Sequence, residues 1–515
     1  MMLRNGRVVL RRLLSTGPLR FENNLKQNSN DNKELMLSIL KLTTTRRETN
    51  NYLNKYSSFS KPRNGNDADS PLRIVIFKLR GNVLHHDEAD LKKFKKTLDY
   101  IQKLGASPLI LIDPDFLDKR FGLNFRSVDN YLFNQFDHLN KCLGEKNILQ
   151  ISPLRCLLTR SQDEFSLDIP NAIVNPLKEG KLPVVFPYVF DKQNGKEVIL
   201  KSTDYLKQFI TNLIKINKPE TPVLTVEKLV FIDKLGGIPS MQRSNNSHVY
   251  INLNQEYDRI LSELNIGHLT IHDKNIHVNN LENIKDILDT IPDDVTGIIT
   301  TLEIANENLN LNPIIYNILT DRSLISSSLP TTKLNDKQDV HKKVSKTTII
   351  RKGLKINTFK TFKDVDLLKF KHLIDTSFKR SINLDHYISR VEPILSQIII
   401  VGDYDGIAII TNEKSTKTGE SVPYLDKFAV SRETQGSLNI ADIIVNILKR
   451  DYREVLLWRS KKTNPVNGWY FQRSNGSLSL EDSEFRIFWI GKQVNNTKLE
   501  TFVEIGKSIK PSWDK

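Results

Sequence analysis

Pro423–Val430 (PYLDKFAV), Gln435–Asn439 (QGSLN), Ile440–Lys449 (IADIIVNILK) and Glu454–Trp458 (EVLLW) follow one another toward the end of the chain. The first and last runs read as strands, the second as a polar loop and the third as an amphipathic helix. Working outward, Ser396–Val401 (SQIIIV) and Gly406–Thr411 (GIAIIT) flank Gly402-Asp403-Tyr404-Asp405, which is turn chemistry between β-branched runs. Asp403 and Asp405 are therefore read as turn residues of a hairpin and not as metal ligands. Leu367–Phe378 reads as a helix before this hairpin. Asn464–Phe471 reads as a short helix, and Phe485–Ile490 (FRIFWI) as a final strand.

This order, hairpin, strand, loop, helix, strand, short helix and strand, resembles the GNAT acetyltransferase fold. The resemblance implies that the strands on either side of the helix splay apart and leave backbone groups for the pantetheine arm of acetyl-CoA. Phe428, Ala429 and Val430 would supply that edge. The loop Gln435, Gly436, Ser437, Leu438 and Asn439, with the first turn of the helix, would offer N–H groups to the pyrophosphate. The family's loop pattern, Gln/Arg-x-x-Gly-x-Gly/Ala, is met in part. Gln435 fits, whereas Leu438 and Ile440 stand where small residues belong.

Tyr424-Leu-Asp-Lys-Phe428, Trp458-Arg-Ser-Lys-Lys-Thr-Asn-Pro465 and Asn467-Gly-Trp-Tyr-Phe471 together resemble the catalytic domain of N-acetylglutamate synthase, in the type shared by fungal and animal mitochondria. The resemblance implies transfer of an acetyl group from acetyl-CoA to the α-amine of L-glutamate, the first step of arginine biosynthesis. It further implies feedback inhibition by arginine and association with N-acetylglutamate kinase. A second reading, from another class, is a non-catalytic arginine-sensing partner of that kinase.

The residues make chemical sense of the transfer. L-Glutamate brings two carboxylates and an amine, so its pocket needs cations and a path for protons. Strand alternation puts Arg459 and Lys461 on one face, with Ser460 between them. Arg459 can grip a carboxylate with two N–H groups, Lys461 acts as a point charge, and Asn464 can bond a carboxylate or carbonyl. By resemblance, Lys427 and the Lys379–Arg380 pair also border the glutamate site. The nucleophile is the substrate's own amine, so the two cysteines, Cys142 and Cys156, are not needed. Strand N–H groups can stabilise the tetrahedral oxyanion. Tyr424 is the first candidate to protonate the departing CoA thiolate, with Tyr470 as the alternative. A packed core tyrosine is the competing reading for each. Trp458, Trp469 and Trp489 are assigned to the core.

Upstream, Arg73–Leu79 (RIVIFKL) is a β-branched run entering Arg80-Gly81-Asn82. Helical periodicity follows over Asp87–Leu104, then a buried strand at Pro108–Ile112, a strand at Pro183–Phe190, a helix around Thr203–Ile216 and a strand at Lys228–Asp233. Such alternation indicates an α/β layered domain with a largely parallel sheet. The order, with Lys78-x-x-Gly81 after the first strand, resembles the amino-acid kinase fold. Compared with active kinases of that family the glycine-rich loops are eroded, which points to a regulatory or structural role. His85-His86 has no partner cluster and reads as a solvated pair.

Residues 1–20 carry Arg4, Arg7, Arg11, Arg12 and Arg20 without an acid, opposite a leucine-rich helical face, the pattern of a mitochondrial presequence and a matrix address. The expected map is therefore 1–20 presequence, 21–70 extension (a helix at Glu34–Leu42, a linker at Tyr56–Ser70), 71–330 kinase-like domain, 331–355 basic linker and 356–515 acetyltransferase domain. A hydrophobic share of 39% and a charged share of 26% suit a soluble fold, and no apolar run is long enough to span a membrane. The net charge of +15 raises nucleic acid as a partner, but residues 1–20 and 333–355 account for +11 of it. The charge is read as an import address and a linker. No metal or nucleic-acid partner is expected; a homo-oligomer is.

Overall fold

The computed structural model describes residues 71–80, 88–114, 125–144, 150–217, 222–241, 247–266, 269–292, 295–306, 312–329, 346–432, 434, 439–491, 494–510 and 512–513. The expected presequence, the helix at 34–42, the linker at 56–70, Gly81, His85 and His86, and Gln435 to Leu438 lie outside them, as does most of the basic stretch.

The first domain is built on β1 (Leu72–Arg80), which is buried along nearly its whole length, as a strand covered on both faces must be. It pairs in parallel with β2 (Ala106–Asp113) on one side and with a later strand, Leu224–Ile232, on the other. Helix α1 (Glu88–Lys103) connects β1 to β2 and buries Leu91, Phe94, Leu98 and Ile101, an apolar stripe at helical spacing. Next come α2 (Phe125–Leu143), β3 (Ile151–Leu154), β4 (Leu158–Ser161), β5 (Glu164–Ser166) and α3 (Asn171–Lys178). The expected single strand at Pro183–Phe190 is two strands. β6 (Leu182–Val185) joins the main sheet, while β7 (Tyr188–Asp191) joins β4, β5 and β8 (Lys196–Ile199) in a separate four-stranded sheet. Pro187 sits between them and offers no N–H to continue a ladder.

The domain continues with α4 (Ser202–Lys215), β9 (Leu224–Ile232), β10 (Tyr250–Asn252), α5 (Leu253–Ile266), α6 (Ile271–Leu288), β11 (Thr296–Thr300), α7 (Leu302–Ala305), α8 (Pro313–Thr320) and β12 (Thr348–Arg351). The main sheet runs β10-β12-β11-β9-β1-β2-β6-β3. β12 falls within the span expected to be a basic linker. It pairs antiparallel with β11, and Arg351 is only 4% exposed, its Nε 3.0 Å from Thr296 Oγ1. Counting cations hid a β-branched run (TIIR) whose arginine lies 3.5 Å from Asp321 at the end of α8, a carboxylate it shares with Lys228.

The second domain is a seven-stranded sheet in the order β13-β14-β15-β16-β17-β19-β18. Its elements are β13 (Ile356–Phe359), α9 (Leu367–Phe378), α10 (Leu384–Val391), β14 (Leu395–Val401), β15 (Gly406–Lys414), β16 (Ser421–Val430), α11 (Ile440–Asp451), β17 (Leu456–Lys461), α12 (Asn467–Arg473), β18 (Gly476–Ser479), β19 (Phe485–Ile490) and α13 (Asn496–Ser508). The elements read from the sequence occur in the order expected, whereas β13, α10, β18 and α13 were not read from it; the short helix starts three residues later than expected because Asn464 and Pro465 belong to the turn before it. Asp366 caps α9, its carboxylate accepting from Leu368 and Lys369 N–H, and Lys379 ends it in the left-handed conformation. Helix α11 lies close on the sheet because Gly406 has no side chain: a Cβ there would stand 2.4 Å from Ile440 Cγ2.

The two domains meet through the segment after α8. Ser326 and Ser328 hydroxyls donate to the Asp442 carboxylate in the first turn of α11, and Arg473 of α12 donates to both serine oxygens and to Asp442.

Candidate active site

Two features of β16 create the site. The first is its pairing with β17, the one parallel contact of this sheet, which consists of a single pair, Tyr424↔Leu457. Beyond it the strands diverge, so Phe428, Ala429 and Val430 bond β15 on one side and have no ladder with β17 on the other. The second is a bulge: Leu425 faces Ile410 and Lys427 faces Ile409, which leaves Asp426 as the extra residue. A bulge breaks the alternation of side chains. Here it turns both Asp426 and Lys427 toward α10.

On that face the Asp426 carboxylate accepts from Tyr387 Oη (2.8 Å), Lys427 Nζ (2.8 Å) and Arg390. Burial alone would raise the Asp426 carboxyl, but the Lys427 ammonium and Arg390 guanidinium beside it hold it well below the usual carboxylate range. Glu413 lies 3.6 Å from Arg390, and burial outweighs that cation and pushes its carboxyl up. Tyr424 packs among Leu457, Ile487, Phe502 and Ile505 on the same face. Burial raises its phenol above the ordinary value, and Arg459, Asp426, Glu413 and Arg390 are its charged neighbours.

Arg459 shares this face. Its two terminal nitrogens donate to the carbonyls of Gly506 and Ile509, 2.7 Å each, and its guanidinium lies over the Phe485 ring. Lys461, two residues on, pairs with Glu484 at 2.9 Å and is more exposed. Ser460 points the opposite way and accepts from Asn464 Nδ2 at 2.8 Å, while Asn464 Oδ1 accepts from Val466 N–H. Arg380 is exposed just beyond the end of α9. Of the residues expected around glutamate, the fold thus gathers Lys427, Arg459 and, at the rim, Lys461 on one face, with Tyr424, the expected proton donor, beside them. Ser460 and Asn464 lie on the other.

That other face holds a narrow cleft at the point where β16 and β17 part. Leu425 and Phe428 of β16, Leu456 and Trp458 of β17, Val445 and Leu448 of α11, and Trp469, Tyr470 and Arg473 of α12 line it. Trp469, assigned to the core from the sequence, is a cleft wall, while Trp458 is buried against Phe488 as expected and also lines the cleft. Trp469 stacks on Phe428 (5.9 Å between centroids), and Trp458 meets the Tyr470 ring edge-on at 5.7 Å. Trp489 does pack inward, against Phe502. Burial pushes the Tyr470 phenol up to about 12. The two tyrosine candidates therefore stand on opposite faces of one sheet.

The cleft fits a pantetheine arm in three respects. Its walls are largely apolar, its β16 edge has no ladder with β17 beyond Tyr424, and Trp458 Nε1 is buried without a hydrogen-bond partner. Asn439 opens α11, whose Val445 and Leu448 line the cleft, in a left-handed conformation without capping the helix by its side chain, and its own Nδ2 is buried and unpartnered. An uncapped N-terminus of a twelve-residue helix favours anionic oxygens. Cys142 and Cys156 lie in the first domain and are free thiols.

Sequence reasoning missed Asp426, Arg390, Tyr387 and Trp513. The Asp-Lys pair inside a strand was the available signal for the first, because a charge in a run otherwise due for burial needs partners.

Residues 354–509 match the family model described as NAT, N-acetyltransferase, of N-acetylglutamate synthase. The mitochondrial amino-acid acetyltransferase of Candida dubliniensis is 37% identical over 542 residues, covering 91% of this chain and 90% of that protein. Its counterpart from Yarrowia lipolytica is 31% identical over 588 residues, covering 94% of each. Among solved structures, N-acetylglutamate synthase from Neisseria gonorrhoeae complexed with coenzyme A and N-acetyl-glutamate aligns with a TM-score of 0.46 and 12% identity, covering 85% of this chain and 98% of that one. Identity at this level over nearly the whole length places the chain in the family of mitochondrial amino-acid acetyltransferases of fungi.

Proposed function

We propose that the protein transfers the acetyl group of acetyl-CoA to the α-amine of L-glutamate in the mitochondrial matrix, giving N-acetyl-L-glutamate and CoA as the first step of arginine biosynthesis. The observation that carries this is the sheet's split at Tyr424: a face with Lys427 and Arg459 on one side, an apolar cleft on the other. The thioester would reach through the split from the cleft and meet the amine coming from the cationic face.

The glutamate amine, once deprotonated, attacks the thioester carbonyl. The N–C bond forms, the oxyanion takes backbone N–H groups of the β16 edge, and its collapse breaks the C–S bond. As the C–S bond breaks the nitrogen sheds its second proton, and the leaving thiolate takes one from a phenol, whose phenolate recovers the proton released by nitrogen. Tyr470 lines the cleft where that sulfur would lie, and burial keeps its phenol protonated, so the geometry favours it as donor over Tyr424. Tyr424, among Arg459, Asp426 and Arg390, suits the glutamate side.

The first domain is read as regulatory, with arginine as its ligand and inhibitor and the kinase partner and oligomeric state left to the same family resemblance. At the ends of its central strands Lys78 pairs with Asp113 (3.3 Å) and Arg80 with Asp233 (2.9 Å). Carboxylates thus occupy the cations that a phosphoryl group would need.

The test is an assay of CoA release by purified protein given acetyl-CoA and L-glutamate, with and without arginine. Glutamate-dependent release that arginine lowers is expected. Folded protein that binds acetyl-CoA yet shows no glutamate-dependent release would overturn the reading.

A further inference from the structure

The segment that follows α13 crosses the cationic face. Arg459 holds the carbonyls of Gly506 and Ile509. Farther on, Ser512 accepts at its carbonyl from Asn383 N–H (3.2 Å), and Trp513 forms an antiparallel bridge with Ile382 in the α9–α10 connection, two residues beyond Arg380. The Trp513 ring lies 5.1 Å from that of Phe378, at the end of α9. Lys427 Nζ stands 5.4 Å from the Trp513 ring centroid and 4.8 Å from that of Tyr387. The ammonium is thereby flanked by two aromatic faces, each of which attracts a cation. Asp426 takes one of its three N–H bonds.

We infer that Trp513 is a wall of the amino-acid subsite, holding the Lys427 ammonium in place for a substrate carboxylate and limiting the length of side chain the pocket admits. The inference rests on the L-glutamate reading above. An ammonium on a four-carbon stem has many rotamers, and a ring on each side with Asp426 behind leaves it few. Trp513 is pinned by the bridge to Ile382 and by Phe378, which on this inference sets its indole at the end of the subsite nearest the α9–α10 connection. A dicarboxylic amino acid one methylene longer than glutamate would meet it. Among the described residues, the ring contacts and bridge of Trp513 fall on Phe378, Lys427 and Ile382, none of which lines the cleft, so its removal should act on one substrate alone.

Steady-state kinetics of the full chain test this. Trp513→Ala should raise KM for L-glutamate tenfold or more, leave kcat within about threefold, and leave KM for acetyl-CoA unchanged, the pattern of lost ground-state binding. It should also narrow the preference for L-glutamate over L-2-aminoadipate. Trp513→Phe, which keeps an aromatic face, should restore most of the affinity. Trp513→Leu, which keeps packing on Phe378 without a ring, should not. Acetyl-CoA titration calorimetry shows which variants are folded, and a folded Trp513→Leu suffices for the decision if Trp513→Ala fails to fold. An unchanged KM for L-glutamate, or equal losses for both substrates, would overturn the assignment of Trp513 while leaving the wild-type activity standing. Absence of glutamate-dependent CoA release in the wild type would instead remove the reading on which it rests.

Discussion

Tyr470 shows what a single side chain needs beyond its identity. A phenol can donate to a thiolate only if it is still protonated, and burial that pushes it up to about 12 ensures that through any working pH. Tyr470→Phe should therefore lower kcat about 100-fold with little change in either KM, a magnitude ordinary for a lost general acid. The alkaline side of the kcat profile should remain flat to pH 10 in the wild type. Single-turnover acetyl transfer measured from pH 6 to 10 checks both. Arg459 offers the contrasting lesson. Its position on β17 was legible as a cation beside Lys461, but its bonds to the Gly506 and Ile509 carbonyls join residues 47 and 50 positions apart and leave no local pattern.

At the scale of elements, the bulge in β16 is the decisive departure from regularity. Strand alternation in PYLDKFAV would send Asp426 and Lys427 to opposite faces; the extra residue sends both to α10. The carboxylate then ties β16 to that helix through Arg390 and Tyr387. Asp426→Asn leaves those cations facing a neutral amide and should cost on the order of 3 kcal/mol of stability at pH 7. The folded-state pKa of Asp426 is depressed, so its contribution is complete above its unfolded value of about 4 and is lost as pH falls through the folded one. The gap between wild type and variant in urea unfolding should accordingly be constant from pH 7 to 5 and shrink below about pH 4. A gap that widens on acidification would contradict this account. The bulge was not legible because β15 supplies half of it, and register between strands depends on both.

Over the whole molecule, the joint between the domains is a buried polar cluster in which Asp442 accepts from Ser326, Ser328 and Arg473. Arg473 also lines the cleft, and Asn446 and Lys449 of α11, another of its walls, bond Ser327 and Ser328, so the segment after α8 touches two walls of the cleft. Asp442→Ala leaves the Arg473 guanidinium, 5% exposed, without its carboxylate. It should cost about 3 kcal/mol in thermal or urea unfolding. It should also raise KM for acetyl-CoA more than KM for glutamate, which initial-rate kinetics would show. The sequence by itself determined the order of the hairpin, central strands and helices of the second domain, the placement of Arg459, Lys461 and Lys427 there, and the α/β character of the first, because hydrophobic period and turn chemistry are local. Only the tertiary structure decided that β12 belongs to the first sheet, that Tyr424 and Tyr470 lie on opposite faces, that Trp458 and Trp469 wall a cleft, and that Trp513 returns to Lys427. Each of these depends on strand pairing or packing between residues far apart in the chain, and a one-dimensional period carries no record of such contacts.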